Sequence, residues 1–334
     1  MRTVPDAASD HGCKVDLSII IVNWNSAGLL RKCLTSIYDN VRDVGFEVLV
    51  VDNASYDCCK ELIDSQYPDV RFFQNERNVG FARANNGAVH LAKGATLLFL
   101  NSDTEVIGPA VQRMFTCINA NPAAGAVGAK LLNSDGSVQS SCLQAFPSLL
   151  NQFLDAAYLR SVFPGWSLWG NGALFRDCPD AVAVDGIVGA CLMIRKAVFE
   201  ELGGFHDQFF MYVEDMDLCY RLRAAGRTNY YLGTATIIHH GGQSSDAQPD
   251  KQFAAVMMRE SVRSFLRIHR GPLYGTLYQC STAVAAVCRL AALSVALLLP
   301  AGSEHRNSVR RALAKWRRIL YWTAGLEEPY RAPA

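Results

Sequence analysis

The sequence has little that would tie it to an oxidising compartment, a nucleic acid or a dinucleotide. Its eleven cysteines are odd in number, lack any C-x-x-C spacing and include the adjacent Cys58 and Cys59. That pattern suits neither a disulfide framework nor a zinc knuckle. Cys191 and Cys219 sit inside apolar runs and read as buried thiols, so a reducing compartment is expected. The polar opening over 1–16 has no apolar stretch of the kind a signal peptide needs. A net charge of +1 with 19% charged residues argues against a disordered chain and against a surface built to coat nucleic acid. No G-x-G-x-x-G follows the first apolar run, which counts against a dinucleotide-binding enzyme, and no G-x-x-x-x-G-K-[ST] offers a phosphate loop.

What is present is a long apolar chain of 334 residues, 50% hydrophobic, enough for one large core or two small ones. Residues 15–25 run almost continuously apolar through Leu17, Ile19, Ile20, Ile21 and Val22, the pattern of a strand covered on both faces. Ser26 is placed to cap a helix over 27–40, whose Leu29, Leu30, Cys33, Leu34 and Ile37 recur at helical spacing. Strands over 46–51, 70–75 and 95–100 then alternate with helices over 56–66 and 80–91, which predicts a doubly wound α/β half. Asn23, Asp52, Asn75 and Asp103 each fall at or just beyond the carboxyl end of such a strand. In an open α/β sheet those ends form one rim, and ligands bind there.

Beyond residue 125 the pattern loosens. A strand over 126–132 leads through a turn at 133–136 to a hairpin partner over 138–141. An irregular region or lid rich in aromatics, glycine and proline covers 143–180 and includes Trp166, Trp169 and Gly170. Strand-like residues 183–194, helices over 195–202 and 214–224, and a strand over 229–238 come next, the last delivering His239 and His240. From residue 251 to the end there are 13 Lys and Arg against 4 Asp and Glu, a surplus of nine in a chain whose total is +1. Two basic amphipathic segments, 253–269 and 306–322, flank an apolar stretch over 273–300 that Arg289 interrupts. Its unbroken part, 290–300, is shorter than the ~20 residues of a membrane span. A buried helical hairpin or a helix lying in the membrane plane is therefore preferred to a span. The basic flanks fit an anionic lipid surface.

The motifs LSIIIVNWN, VVDNAS, RNVGFARANN and LFLNSD, in that order, resemble the family 2 inverting glycosyltransferases with the GT-A fold. The later run from Val188 to Gly226, followed by IIHHGGQS, is similar to the branch containing bacterial rhamnosyltransferases of cell-surface polysaccharide synthesis. The likeness covers about residues 15–245. It implies an α/β GT-A fold: a mostly parallel central sheet flanked by helices, with a C-terminal helical extension. The implied divisions are a transferase domain over 15–250, with a nucleotide-binding half over 15–125 and an acceptor half over 126–250, and a basic extension over 251–334.

The resemblance also implies the reaction and its residues. A sugar would pass with inversion from a nucleotide-diphosphate sugar, dTDP-rhamnose before a UDP-hexose, to a hydroxyl of a glycan or lipid-linked glycan. Asp52 would meet the base or ribose, with Asn23, Asn75, Asn78, Gly80, Arg83, Asn101 and Ser102 around the donor. Asp103 stands last in the metal-binding triplet, here Asn101–Ser102–Asp103, so a single carboxylate would face Mg2+ or Mn2+. His239, on an H-x-x-G-x-S pattern completed by Gly242 and Ser244, would sit near that metal, chosen over His240 by spacing alone. Asp215 matches the general base, with Glu214 beside it; Trp169, Gly170 and Gly189 are candidates for the acceptor side. Phe205–His206–Asp207 departs from the family's usual FDE by one position.

These residue types suit the chemistry. A hard oxygen ligand holds a divalent ion that offsets charge on a departing diphosphate. A carboxylate takes the proton of the attacking hydroxyl. A metal-bound diphosphate leaves without the second, acidic carboxyl that glycoside hydrolysis requires. The expected partners are the nucleotide sugar, the glycan acceptor and an anionic membrane surface, with no nucleic acid and no oligomeric state implied. The expected place is cytoplasmic, peripheral at the inner face of the cell membrane. The competing readings are a non-catalytic membrane-associated scaffold that keeps the fold and a nucleotidyltransferase, which would want a basic phosphate loop that residues 23–29 do not supply.

Overall fold

The computed structural model describes residues 15–154, 159, 162–163, 165–175, 180–241, 253–298 and 302–327. The expectations for residues 1–14, for Gly242 and Ser244, and for the 250/251 boundary lie outside the described residues. The first apolar run forms β1 (Leu17–Asn23), whose Leu17 to Ile21 are buried. It lies between β2 (Phe46–Asp52) and β4 (Thr96–Asn101), both parallel to it, and β3 (Arg71–Gln74) adds outside β2. Three helices cross between these strands: α1 (Ala27–Asn40), α2 (Cys59–Gln66) and α3 (Phe81–Leu91). In α1 the buried positions Leu30, Cys33, Leu34 and Ile37 keep the i, i+3, i+4, i+7 spacing of one face turned to the sheet. This half matches the pattern expected from sequence, with boundaries shifted by a few residues.

The second half does not continue parallel. After β5 (Thr104–Ile107), α4 (Ala110–Ala120) and β6 (Ala124–Leu132) come two short strands, β7 (Leu143–Gln144) and, after α5 (Leu149–Leu154), β8 (Val182–Val184). The strand-like stretch 183–194 is in fact three strands, β8, β9 (Gly186–Ile187) and β10 (Cys191–Arg195). The chain then forms α6 (Lys196–Glu201), α7 (Glu214–Ala224) and β11 (Thr228–His239). The sheet order is β3-β2-β1-β4-β10-β6-β11-β5, with β8 beside β11. It is parallel through β4 and mixed beyond, because β10 runs antiparallel to both β4 and β6. The hairpin expected over 138–141 reduces to one bridge between Leu132 and Val138, after which the chain turns into a short 3-10 segment. Phe99 of β4, Phe199 of α6 and Phe205 pack as a triad with centroids 5.0 to 5.2 Å apart, closing the core under the second half.

The C-terminal extension is three helices, α8 (Phe253–Arg270), α9 (Pro272–Leu298) and α10 (Ser303–Thr323). The apolar stretch is one continuous helix and not a hairpin. Arg289 does not break it, because the guanidinium lies over the Trp316 ring at 4.3 Å instead of facing outward. Among the described residues α9 is the one helix long and apolar enough to cross a membrane, by length and composition, and only 11% of its apolar window is buried. Its buried residues face α8 and α10, while Leu273, Val284, Val287 and Val295 are exposed.

The extension is joined to the core by more than apolar contact. Val256, Val262, Phe265, Leu266, Tyr278 and Trp322 form a second cluster with Phe209, Val213 and Met216 of the second half. At its edge His269 reaches Asp217 of α7, Nε2 to Oδ1 at 2.7 Å. Arg221 Nε bonds the other carboxylate oxygen at 2.8 Å, and its guanidinium also donates to the Leu202 and Gly204 carbonyls. His206, from the displaced Phe205–His206–Asp207 segment, lies 3.2 Å from the same oxygen. Burial alone would raise the Asp217 carboxyl, but the His269 bond and the charges of Arg221 and His206 hold it below the ordinary carboxylate range. Removing it leaves the mostly buried Arg221 uncompensated. Asp217→Leu is therefore expected to lower folding stability by about 3–5 kcal/mol at neutral pH. The Asp217 contribution is present above its unfolded value near about 4 and is lost as pH falls through the lower folded value. Denaturant titrations should show the gap between wild type and variant shrinking as the solution is acidified through that window.

Candidate active site

The strand register builds the rim. Asn23 pairs with Asp52, and Val22 with Asn101, so the carboxyl ends of β1, β2 and β4 are level. Asp52 is fully buried and accepts four hydrogen bonds: Asn23 Nδ2 at 2.9 Å, Ser55 N at 2.8 Å, Ser55 Oγ at 2.5 Å and Gln74 Nε2 at 3.3 Å. Such a cage fixes the carboxylate in place. Ser26 does not cap α1 through its side chain. Its hydroxyl donates to Asn23 Oδ1 at 2.7 Å and meets Ser102 Oγ at 3.0 Å, joining the first and fourth strand ends. Asn75 Nδ2 bonds Asn53 Oδ1 at 2.8 Å, Asn53 Nδ2 reaches the Gly80 carbonyl, and Asn78 Oδ1 accepts from Gly80 N at 2.9 Å. Gly80 has φ +86°, and a Cβ there would stand 2.4 Å from the Phe210 carbonyl oxygen, so only glycine fits this approach. Arg83 is exposed on α3 and takes no part in this network.

Asp103 and His239 are brought together by β5, a strand not expected from sequence. Thr104 pairs with His239 in the antiparallel β5–β11 ladder, and His240 N bonds the Asp103 carbonyl at 2.9 Å. His239 Nε2 then lies 3.3 Å from Asp103 Oδ1 and 3.4 Å from Asn101 Nδ2. The other ring nitrogen, Nδ1, is 2.7 Å from Gln139 Oε1, while Gln139 Nε2 donates to Asn133 Oδ1 at 3.1 Å. The amide oxygen of Gln139 accepts from Nδ1, which leaves Nε2 as the ring atom turned to the Asp103 carboxylate. His240 is turned away, with Nε2 2.7 Å from Glu105 and Nδ1 2.8 Å from Ser134. Of the two histidines, His239 is the one whose ring lies beside Asp103. No group of three or more His, Cys, Asp or Glu gathers around a metal position among the described residues. Asp103 and His239 are thus a pair of possible donor groups at this end of the sheet.

The third part is the start of α7. Gly189 N donates to Asp215 Oδ2 at 2.6 Å, and Met216 N to Oδ1 at 2.7 Å. The carbonyl of the neighbouring Ala190 accepts from Asn101 N at 3.0 Å, so the backbone that holds Asp215 is itself bonded to the end of β4. Burial raises the Asp215 carboxyl above its ordinary value, against the two backbone N–H groups that pull it down. Glu214 is raised well above the carboxylate range, first by burial and then by the Asp215 charge. Its Oε2 is buried without a hydrogen-bond partner. Just before the helix, Tyr212 and Val213 have φ +70° and +69°. For a β-branched residue such as Val213 this is a strained conformation.

The acceptor-side candidates divide. Gly189 belongs to the site through its bond to Asp215. Trp169 does not offer a ring face: it is 2% exposed, stands edge-on to Trp166 and donates its indole N–H to the Phe163 carbonyl. Gly170 is required by packing, since a Cβ would fall 2.1 Å from Ala145 N at φ +74°. Sequence reasoning missed Ser55 and Gln139. Ser55 closes VVDNAS and could have been read as an Asx-turn partner of Asp52. Gln139 carries no local signal, because only folding brings it to His239.

A mixed sheet with these strand ends and this polar rim defines the GT-A class of nucleotide-sugar transferase fold. The mannosyltransferase PcManGT from Pyrobaculum calidifontis, solved with GDP-Man and Mn2+, shares it at TM-score 0.54 and 16% identity, over 93% of this chain and 86% of that one. GalNAc-T7, solved with UDP, GalNAc and Mn2+, does so at TM-score 0.53 and 15% identity, over 76% of this chain and 51% of that one. The model of glycosyl transferase family 2 matches residues 18–203, and the chain belongs to that family. It is 28% identical over 253 residues to the N-acetylglucosaminyl-diphospho-decaprenol L-rhamnosyltransferase of Mycobacterium tuberculosis, covering 72% of this chain and 80% of that protein. It is 24% identical to rhamnosyltransferase WbbL of Escherichia coli, over 70% of this chain and 87% of the relative. The chain is a glycosyltransferase that depends on a nucleotide sugar.

The Glu214 carboxyl, buried with Oε2 unpaired, has a measurable consequence. Its raised folded value means that native stability is fully present below the unfolded value near about 4.3 and is lost as pH rises through the folded one. Glu214→Gln removes the ionisation. The variant is expected to exceed wild type in denaturant midpoint at neutral and alkaline pH and to match it below that unfolded value. A variant less stable than wild type across the whole range would contradict the unpaired state of Glu214.

Proposed function

We propose that this chain catalyses inverting transfer of a sugar from a nucleotide-diphosphate sugar to a hydroxyl of a glycan or lipid-linked glycan. The observation that carries the reading is the continuous bonding from Asn101 through Ala190 and Gly189 to Asp215. It links the strand end that leads to Asp103 with the backbone that holds the buried Asp215 carboxylate, which supports reading them as one site. Asp52, caged by Asn23, Ser55 and Gln74, receives the base or ribose, with Asn75, Asn78 and Gly80 shaping the loop beside it. dTDP-rhamnose is the favoured donor, supported by the two relatives named as rhamnosyltransferases, and a UDP-hexose is the runner-up.

Asp103 and His239 fit a divalent ion, Mg2+ or Mn2+, through a carboxylate oxygen and an imidazole lone pair whose tautomer Gln139 fixes. When bound, the ion offsets the charge that builds on the departing diphosphate. Asp215 takes the proton of the acceptor hydroxyl as that oxygen attacks the anomeric carbon from the face opposite the leaving group. Its raised affinity for a proton makes it a better base than an exposed aspartate. Glu214 lies beside it, its carboxyl raised by burial and by the Asp215 charge, with Oε2 unpaired. The apolar outer face of α9 and the basic flanks support attachment at an anionic membrane surface on the cytoplasmic side, where a lipid-linked acceptor would be found.

A donor-hydrolysis screen of the purified protein against UDP-, GDP- and dTDP-sugars, with and without Mn2+, tests the reading; no turnover of any donor would sink it. Asp215→Asn should lower transfer by about a hundredfold to ten-thousandfold while donor binding persists. In wild type the acid limb of kcat/KM should fall above the ordinary aspartate value of about 4. Transfer at the normal rate by Asp215→Asn would remove Asp215 from its role. Gln139→Leu, which touches neither substrate, should weaken Mn2+ binding by about 10–100-fold, measured by calorimetry.

A further inference from the structure

Three residues of α8 spaced four apart, Ser261, Phe265 and His269, fall along one face of that helix. All three reach the stretch 211–220 that carries the acidic pair. The buried Ser261 donates from Oγ to the Met211 carbonyl at 2.9 Å. Phe265 meets the Tyr220 ring of α7 edge-on, with centroids 5.5 Å apart. His269, its side chain 10% exposed, places Nε2 2.7 Å from Asp217 Oδ1 and its ring 4.3 Å from that of Tyr220.

The two polar contacts stand two helical turns apart on α8, about 12 Å along its axis, and bracket residues 211–217. Between them lie Tyr212 and Val213 at positive φ, then Glu214 and Asp215. Apolar packing has no preferred direction, so the cluster around Val213 does not by itself fix how these residues are turned. A hydrogen bond at each end does, because its geometry tolerates little displacement. From the core side Asp217 is held by Arg221, whose guanidinium also donates to the Leu202 and Gly204 carbonyls. The core and α8 therefore meet at Asp217, two residues beyond Asp215. Asp215 needs a narrow placement, since its two oxygens take the Gly189 and Met216 N–H groups at 2.6 and 2.7 Å.

We propose that Ser261 and His269 are positioning residues for Asp215, holding residues 211–217 so that its carboxylate faces the acceptor hydroxyl. The proposal rests on the glycosyl-transfer reading and extends that site to two residues that touch neither substrate. A helix added solely for stability has no need to set both polar contacts on the short segment that turns into α7. Loss of either contact acts on the chemical step and leaves the donor rim at Asn23 and Asp52 intact.

The full chain with Mn2+ and dTDP-rhamnose tests this, with water taking the place of the acceptor hydroxyl. His269→Leu should lower kcat by about tenfold to hundredfold, with KM for the donor within about twofold of wild type. His269→Gln, whose amide can donate to Asp217 from the place of Nε2, should recover part of the loss. Ser261→Ala leaves Asp217 untouched and should lower kcat by about tenfold, so it decides the matter if His269→Leu does not fold. Val309→Ala loosens the packing of α10 without removing either bond and should keep the wild-type kcat. Hydrogen exchange, read in parallel, should be faster at Gly189 and Met216 in His269→Leu and Ser261→Ala, with β1 unchanged. Wild-type kcat and exchange in both variants overturn the proposal. So does an equal fall in Val309→Ala, or a His269→Gln variant as impaired as His269→Leu, since either result marks contacts that serve stability alone. Absence of dTDP-rhamnose hydrolysis by wild type counts against the donor in the transfer reading. The exchange at Gly189 and Met216 then decides the positioning role by itself.

Discussion

The turn at Tyr212 and Val213 is the constraint on which the acidic end of α7 depends. Two consecutive non-glycine residues at positive φ cost about 1–3 kcal/mol each and persist only where neighbours leave no other conformation. Here the neighbours come from three directions. Phe81 N, at the start of α3, bonds the Phe210 carbonyl at 3.0 Å. Ser261 of α8 donates to the Met211 carbonyl at 2.9 Å. Val213 itself is buried in the cluster built by α8, α9 and α10. The donor-side loop and the C-terminal helices thus grip the same short segment, and the direction of Asp215 is set by both.

Three acids within the first turn of α7 meet three different environments. A helix N-terminus favours negative charge, which explains why the segment tolerates them together. Asp217 points to Arg221, His206 and His269 and is held ionised. Asp215 accepts two backbone N–H groups but is cut off from water, so its proton affinity rises moderately. Glu214 has burial and a neighbouring charge without any compensating cation, and rises most. Neighbouring positions on one helix turn therefore hold one carboxyl lowered by cations, one raised moderately and one raised most, separated by which way each side chain leaves the helix.

Much of this is legible in the sequence, because the relevant physics is local in the first half. Short continuous apolar runs that alternate with amphipathic segments read as central parallel strands, and such strands end level, so Asn23, Asp52 and Asp103 were expected to share a rim. The second half resists for the opposite reason. β10 enters antiparallel and β5 is four residues long, and neither leaves a periodic signature strong enough to set its partner. Gln139 and His269 lie 100 and 52 residues from the groups they touch, so no spacing rule finds them. Trp169 misleads because an indole beside glycine looks like a sugar platform until burial closes its faces. The apolar stretch over 273–300 is short when measured by its unbroken length, whereas stacking on Trp316 lets Arg289 sit within a longer helix.

The family match ends at residue 203, eleven positions before Glu214, while the helices that hold the Glu214–Asp215 segment begin only at Phe253. Inheritance by modules would draw the border of the enzyme at the end of the sheet and treat the remaining helices as an appendage. The clamp on Val213 places that border elsewhere. A chimera that joined this sheet to another chain's tail would keep the strand-end motifs yet lose the contacts that hold Met211 and Val213 before Glu214. The structural unit that fixes this turn is therefore the core together with its own three helices, and a change in the tail reaches Met211 and Val213 directly.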